Sequence, residues 1–197
     1  MTYDYDGFDR RVGRTDAGGT TQYLYSGVLD ALELSASRDP AGTLTVYYYD
    51  AEGYLVALRR GAIWWYVATD QVGSPRAVFD ATGTLVERIT YDAFGAQIED
   101  TNPAFGLAVG YAGGLRDPAT ALVHFGARDY DPAAGRWTSR DPALYRGRQA
   151  NLYAYVDNDP ASRRDPSGLW CVGASAYDGV GAGGQSLPHR QGMVALP

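Results

Sequence analysis

Through the first half of the chain an Asp is repeatedly followed three residues later by Gly, as at Asp16–Gly19, Asp39–Gly42, Asp50–Gly53, Asp70–Gly73, Asp80–Gly83 and Asp92–Gly95. Asp at the first position of a type I turn accepts hydrogen bonds from the turn's own amides, and Gly at the fourth takes positive φ and leads into a returning strand. The turns fall in pairs, because Asp6 precedes Asp16 by 10 residues, Asp39 precedes Asp50 by 11 and Asp70 precedes Asp80 by 10, with longer gaps between pairs. That alternation describes a tandem repeat of about two strands per unit, each unit needing neighbours to cover its apolar face.

The segments between turns have strand composition: Thr43–Tyr49, Gly61–Thr69, Arg76–Phe79 and Thr84–Tyr91. Gly27–Ser35 has leucine spacing that would suit a helix, but it lies where the repeat expects a strand and is assigned as one. A short helix is expected only at Asn151–Asp157, stopped by Asn158-Asp159-Pro160. With 16 Tyr and 25 Gly, the expected class is all-β.

The charge balance excludes some partners. Seventeen basic residues scattered among 23 acidic ones give a net charge of -6, which does not make a phosphate-binding groove, so no nucleic acid is expected. Cys171 is alone and His124 and His189 are the only histidines, so neither an internal disulfide nor a metal site is expected, nor any cofactor. No apolar run approaches the ~18 residues that cross a bilayer, and the N-terminus lacks the pattern of a secretory signal. The expected location is the cytoplasm until another machine exports the protein. The aromatic residues are expected to pack across strands rather than to serve as sugar platforms.

From Gly135 to Trp170 the pattern changes. Two basic-Asp-Pro steps, Arg140-Asp141-Pro142 and Arg164-Asp165-Pro166, stand 24 residues apart, and composition breaks into a Gly-rich tail after Leu169. Asp-Pro alone carries little information, since Asp39-Pro40, Asp117-Pro118, Asp131-Pro132 and Asp159-Pro160 are also present and Asp-Pro commonly initiates turns.

Several stretches resemble the RHS/YD-repeat family. Asp70-Gln71-Val72-Gly73-Ser74-Pro75-Arg76 and Ile89-Thr90-Tyr91-Asp92-Ala93-Phe94-Gly95 look like its last repeats. Tyr111-Ala112-Gly113-Gly114, the run from Phe125 to Trp137, and Asn151-Leu152-Tyr153-Ala154-Tyr155 are similar to its C-terminal core, whose terminal DPxGL signature is matched by Asp165 to Leu169. The resemblance divides the chain into YD-type hairpin repeats over 1–69, an RHS repeat-associated core over 70–169 and a variable tail over 170–197. It implies a spiral of β-hairpins forming a shell around a C-terminal polypeptide, plugged by the core domain, as in a polymorphic toxin. The implied partners are the chain's own C-terminal cargo, the rest of a shell or parent chain, an immunity protein and a secretion apparatus such as type VI secretion.

The resemblance further implies autoproteolysis after the DPxGL leucine, placing the scissile bond at Leu169-Trp170. Peptide hydrolysis by two carboxylates needs one ionised to activate water and one protonated to donate to the departing group. Asp141 and Asp165 match the family's two acids, with the base and acid roles unassigned. Arg140 matches the family arginine beside the first acid and would position it or bind an oxyanion. Pro142 and Pro166 fix φ, and Gly168 permits close passage of the backbone. The first motif departs from the family pattern: Leu144 replaces the usual Gly, and the motifs stand 24 residues apart where about 22 is usual. Such a loop would move the acids apart. His124, within a strand pattern, is expected to pack, and Cys171 to be an incidental thiol. The tail is too short to fold alone. The alternative reading is a non-catalytic β-repeat module binding carbohydrate or protein through Trp64, Trp65 and the Tyr ladders.

Overall fold

The computed structural model describes residues 1–26, 33–142, 144 and 151–173. Its main body is one antiparallel sheet in which every strand pairs with its sequence neighbours. The strands are β1 (Thr2–Tyr5), β2 (Arg11–Asp16), β3 (Gly19–Tyr25), β4 (Leu34–Arg38), β5 (Leu44–Tyr49), β6 (Leu55–Arg60), β7 (Ile63–Thr69), β8 (Pro75–Asp80), β9 (Leu85–Tyr91) and β10 (Gln97–Asp100). Two smaller sheets follow: β11 (Leu115–Arg116) to β12 (Val123–Phe125), β13 (Arg128–Asp131) and β14 (Arg136–Trp137), then β15 (Arg163–Arg164) with β16 (Val172–Gly173).

The Asp turns make this meander. At Asp50, Asp70, Asp80 and Asp92 the carboxylate Oδ1 accepts the amides two and four residues on, while the Gly amide donates to the Asp carbonyl. The glycines sit at positive φ, and at Asp50, Asp70 and Asp80 the register slips just before the turn, marking a hairpin closed by a bulge. Asp6 builds the same turn with Asp9 at φ 60 in place of Gly. Asp16 differs: it pairs directly with Gly19 across a two-residue tip.

All four strands assigned from composition are present, at β5, β7, β8 and β9. Of Gly27–Ser35, residues 27–32 lie outside the described residues, and Leu34 opens β4. The helix expected at Asn151–Asp157 does not form. Its place is taken by a turn and a single 3₁₀ turn at Val156–Asn158, whose three residues all have positive φ, a conformation that cannot propagate a right-handed helix.

One sheet face, carrying Tyr47, Leu58, Val67, Val78 and Ile89, packs against Phe105, Leu107, Val109 and the core beyond. The centre of that core is aromatic. Tyr130 and Tyr155 rings lie 4.2 Å apart, Trp137 packs edge-on to Tyr155 at 5.3 Å, and all three are at most 1% exposed. Tyr111 lies against the bare backbone of Gly95, where a Cβ would stand 2.2 Å from the ring. Alternate hairpin tips, at Asp50, Asp70 and Asp92, therefore meet the core directly, and they carry the site described next.

Candidate functional site

Phe125-Gly126-Ala127-Arg128 turns the chain from β12 into β13, where strand alternation puts Arg128 and Tyr130 on the buried side. Arg128 lies 4.1 Å over the Trp137 ring. Its Nη2 contacts Asp141 Oδ2 at 3.1 Å and Asp165 Oδ2 at 3.3 Å, and its Nε donates to the Gly168 carbonyl. Both carboxylates are buried and share one guanidinium nitrogen. The 24-residue separation and the altered loop have not driven the two acids apart.

Leu144 explains why. It adopts φ 53, and its amide donates to the Asp141 carbonyl at 3.0 Å. Gly168, the matching residue of the second motif, has φ 68 and donates to the Asp165 carbonyl at 3.3 Å. Both motifs thus make the same turn, Leu144 in a conformation that favours glycine. Gly168 is more tightly constrained, because a Cβ there would lie 2.3 Å from the Phe125 carbonyl oxygen.

Asp165 repeats the hairpin-tip turn inside the protein. Its Oδ1 accepts the Ser167 hydroxyl at 3.0 Å, the Leu169 amide at 3.1 Å and the Trp170 amide at 3.2 Å. At the exposed tip, similar bonds hold the Asp80 carboxyl below its ordinary range. Burial reverses the direction at Asp165, pushing its carboxyl up to about 6 despite Arg128, Ser167 and the two amides. Desolvation of the charged form outweighs the donors that favour it. Arg128 responds to the same burial, its proton held less firmly than usual although both aspartates oppose the change.

The loop is tied to the sheet. Arg164 lies over Tyr54 at 4.5 Å and donates to the Glu52 carbonyl at 2.9 Å, Gln71 donates to the Ala161 carbonyl at 3.1 Å, and Tyr111 donates to that of Pro160 at 3.3 Å.

Of the residues singled out by sequence, Asp141, Asp165, Gly168, Leu169 and Trp170 are brought together, with Pro166 half-buried in the loop and Pro142 exposed beside Asp141. Arg140 is not. It is exposed and makes no hydrogen bond or ion pair with any described residue, and Arg128 occupies the place beside the acids. The signal for Arg128 was its strand spacing: it shares a face with Tyr130, so its guanidinium had to meet buried acids. His124 packs as expected, Nδ1 3.0 Å from Asp129 and its ring 5.6 Å from Tyr5. Cys171 does have a basic neighbour, Arg163 Nη1 at 3.9 Å, yet burial pushes its thiol up. Among the described residues no cluster suited to a metal ion occurs and no helix is long and apolar enough to cross a membrane.

The aromatic residues divide between faces. Trp65 turns inward, its ring 5.5 Å from Phe105. Trp64 stacks on Tyr48 at 4.8 Å on the opposite face, where Tyr66 and Leu85 are each 51% exposed.

Comparison with known proteins agrees with this architecture. The chain is 38% identical over 171 residues to Teneurin-4 of Homo sapiens and 35% identical to Teneurin-m of Drosophila melanogaster, spanning 82% and 83% of this chain. It corresponds to only 6% of the length of either relative. Among solved structures, TcdB2-TccC3 without its hypervariable C-terminal region superposes with a TM-score of 0.65 at 24% identity, covering 85% of this chain and 9% of that one. A Photorhabdus luminescens Tc holotoxin pore with the mutation TccC3-D651A superposes with a TM-score of 0.63 at 21% identity, covering 94% and 9%. At those identities the likeness establishes an RHS-type fold. The Teneurin YD-shell family matches residues 1–161, and together with the teneurin identities this places the chain in that family of YD-repeat shell proteins.

Proposed function

We propose that this chain is the terminal portion of a YD-type shell that cuts its own backbone between Leu169 and Trp170. The observation carrying this reading is the shared guanidinium: Arg128 gathers Asp141 and Asp165, and Asp165 is bonded to the amide nitrogen that the cut would release.

That contact supports one division of roles. Water attacks the Leu169 carbonyl carbon while Asp141 takes its proton. As the carbon becomes tetrahedral, the Trp170 nitrogen loses conjugation and gains basicity, and its bond to Asp165 reverses direction. Asp165 donates its proton, the C–N bond breaks, and Leu169 ends as a carboxylic acid with Trp170 as a free amine. Arg128 places its positive charge beside both carboxyls. The residues that follow Leu169 are then the counterpart of the C-terminal region that one TccC3 structure calls hypervariable, and they belong to the cargo of this shell.

The first prediction tests this cut. Intact mass of the purified chain shows loss of the 28-residue tail; Asp165→Asn and Asp141→Asn abolish it or slow it by ~10²–10⁴-fold with the same circular dichroism. Because Asp165 must be protonated and titrates near 6, cutting slows about tenfold for each pH unit above that value. A wild-type chain uncut throughout about pH 4–8, the range in which a general acid of this kind operates, overturns the proposal.

A second reading is supported by the exposed Trp64, Tyr66 and Leu85 face, which suits a non-catalytic surface-binding module. It ranks below the first because the two acids meet.

A further inference from the structure

On the core, two adjoining hollows of about 290 and 390 Å³, lined by neither Asp141 nor Asp165, share Ala134, Arg136, Asn151 and Tyr153. Their walls are fixed by backbone bonds. Arg136 bridges to Ala154, the Trp137 amide donates to the Tyr153 carbonyl at 3.0 Å, and the Tyr130 hydroxyl pins the Phe94 carbonyl at 2.7 Å. The cleft is therefore preformed, and its volume suits one or two sugar rings.

Its lining narrows the ligand. Tyr153 is 41% exposed and lines both hollows, and Phe94 lines the first. Around these rings stand the Arg136 guanidinium, the Asn151 and Asn158 carboxamides and the Asp92 carboxylate. Their polar atoms are largely unengaged. Among the described residues Asn158 makes no side-chain hydrogen bond, Asn151 uses only its carbonyl oxygen, on the Tyr153 amide at 3.0 Å, and the Arg136 guanidinium reaches only the Ala134 carbonyl, at 3.4 Å. Asp92 spends Oδ1 on its own turn.

One cation flanked by Asp92 and Asp131 gives no net positive field, which disfavours phosphate and sulfate esters. Polar atoms dominate the first hollow and are mixed with apolar ones in the second, which disfavours acyl chains. A polyol fits both constraints. Vicinal hydroxyls need planar donors and a carboxylate acceptor, and the C–H face of a pyranose needs an exposed aromatic ring. We infer that this cleft is a carbohydrate-binding site that takes a neutral sugar, with Tyr153 as its stacking platform and Asn151, Arg136 and Asn158 as donors to the hydroxyls. The site is independent of backbone cutting and of the Trp64 face.

The test uses the full chain carrying Asp165→Asn, so that the tail stays attached. Galactose, mannose, N-acetylglucosamine and their disaccharides are titrated by calorimetry and saturation-transfer NMR, with inorganic sulfate as the anionic comparison. At least one neutral sugar binds saturably, Tyr153→Ala weakens it at least tenfold, and Asn158→Ala weakens it measurably. Both side chains stand at the cleft surface, so folding is checked by circular dichroism. Trp64→Ala leaves the affinity unchanged. Absence of saturable sugar binding, binding that survives Tyr153→Ala, loss of binding in Trp64→Ala, or preference for sulfate would each overturn the assignment.

Discussion

Leu144 occupies the glycine position of its turn, and the αL conformation costs a non-glycine residue about 1–2 kcal/mol. Because its side chain is exposed, Leu144→Gly loses little packing, and the strain it relieves exceeds the added freedom of the unfolded chain. The variant raises stability by about 0.5–1 kcal/mol in denaturant unfolding and leaves cutting intact. Glu87 is a second residue under tension. It is 1% exposed, its Oε2 has no hydrogen-bond partner among the described residues, and burial followed by the nearby Asp100 charge pushes its carboxyl up to about 8. Since the folded state holds this proton more tightly than the unfolded chain, the contribution is fully present below about pH 4.5, the ordinary Glu value, and is lost as pH rises through 8. Wild-type melting temperature therefore falls between mildly acid and alkaline pH. Glu87→Gln flattens that fall, by an amount on the order of 1–3 kcal/mol at the alkaline end.

At the level of elements, the first hairpin is held to the core by charge. Arg11 of β2, 2% exposed, contacts Asp117 Oδ2 at 3.3 Å and Asp129 Oδ1 at 2.9 Å, and the Tyr3 hydroxyl donates to Asp117 at 2.7 Å. Burial alone would raise the Asp117 carboxyl, but Tyr3, the Ala119 and Thr120 amides and Arg14 hold it below its ordinary range. Arg11→Met leaves that buried carboxylate short of its partner and destabilises by ~3–5 kcal/mol, measured by chemical unfolding. None of this clamp was legible in the sequence, because its partners are separated by more than a hundred residues. The sheet was legible, because Asp and Gly specify hairpin tips locally and strand composition fills the intervals. At the site the two aspartates could be named from their motifs. The arginine that contacts them is Arg128 rather than the adjacent, exposed Arg140, because adjacency in sequence says little about which side chain faces inward. The helix assigned to Asn151–Asp157 failed because Val156, Asp157 and Asn158 take positive φ, which periodicity does not reveal.

Across the whole molecule, ten strands in sequence order make a sheet that would by itself melt strand by strand, as repeat arrays do. Here the core crosses it at several points: Arg11 joins β2 to β13 and to Asp117 just beyond β11, Arg164 reaches the Asp50 tip, Gln71 holds the loop after β14, and Tyr111 lies on Gly95. Sheet and core accordingly unfold together. Far-ultraviolet circular dichroism and near-ultraviolet aromatic signals give coincident transitions, and separated ones would show that the tethers are weak. The buried turn at Asp165 bears on how such a protein acquires chemistry. Its hydrogen bonds resemble those at the exposed tips, whose acids stay in water, and it differs from them in depth. Duplicating a hairpin supplies another copy of the turn at no chemical novelty, and laying a second element over that copy is enough to push its carboxyl up, as burial does at Asp165. A designer seeking a mild acid would begin with any Asp-x-x-Gly tip in this chain and cover it.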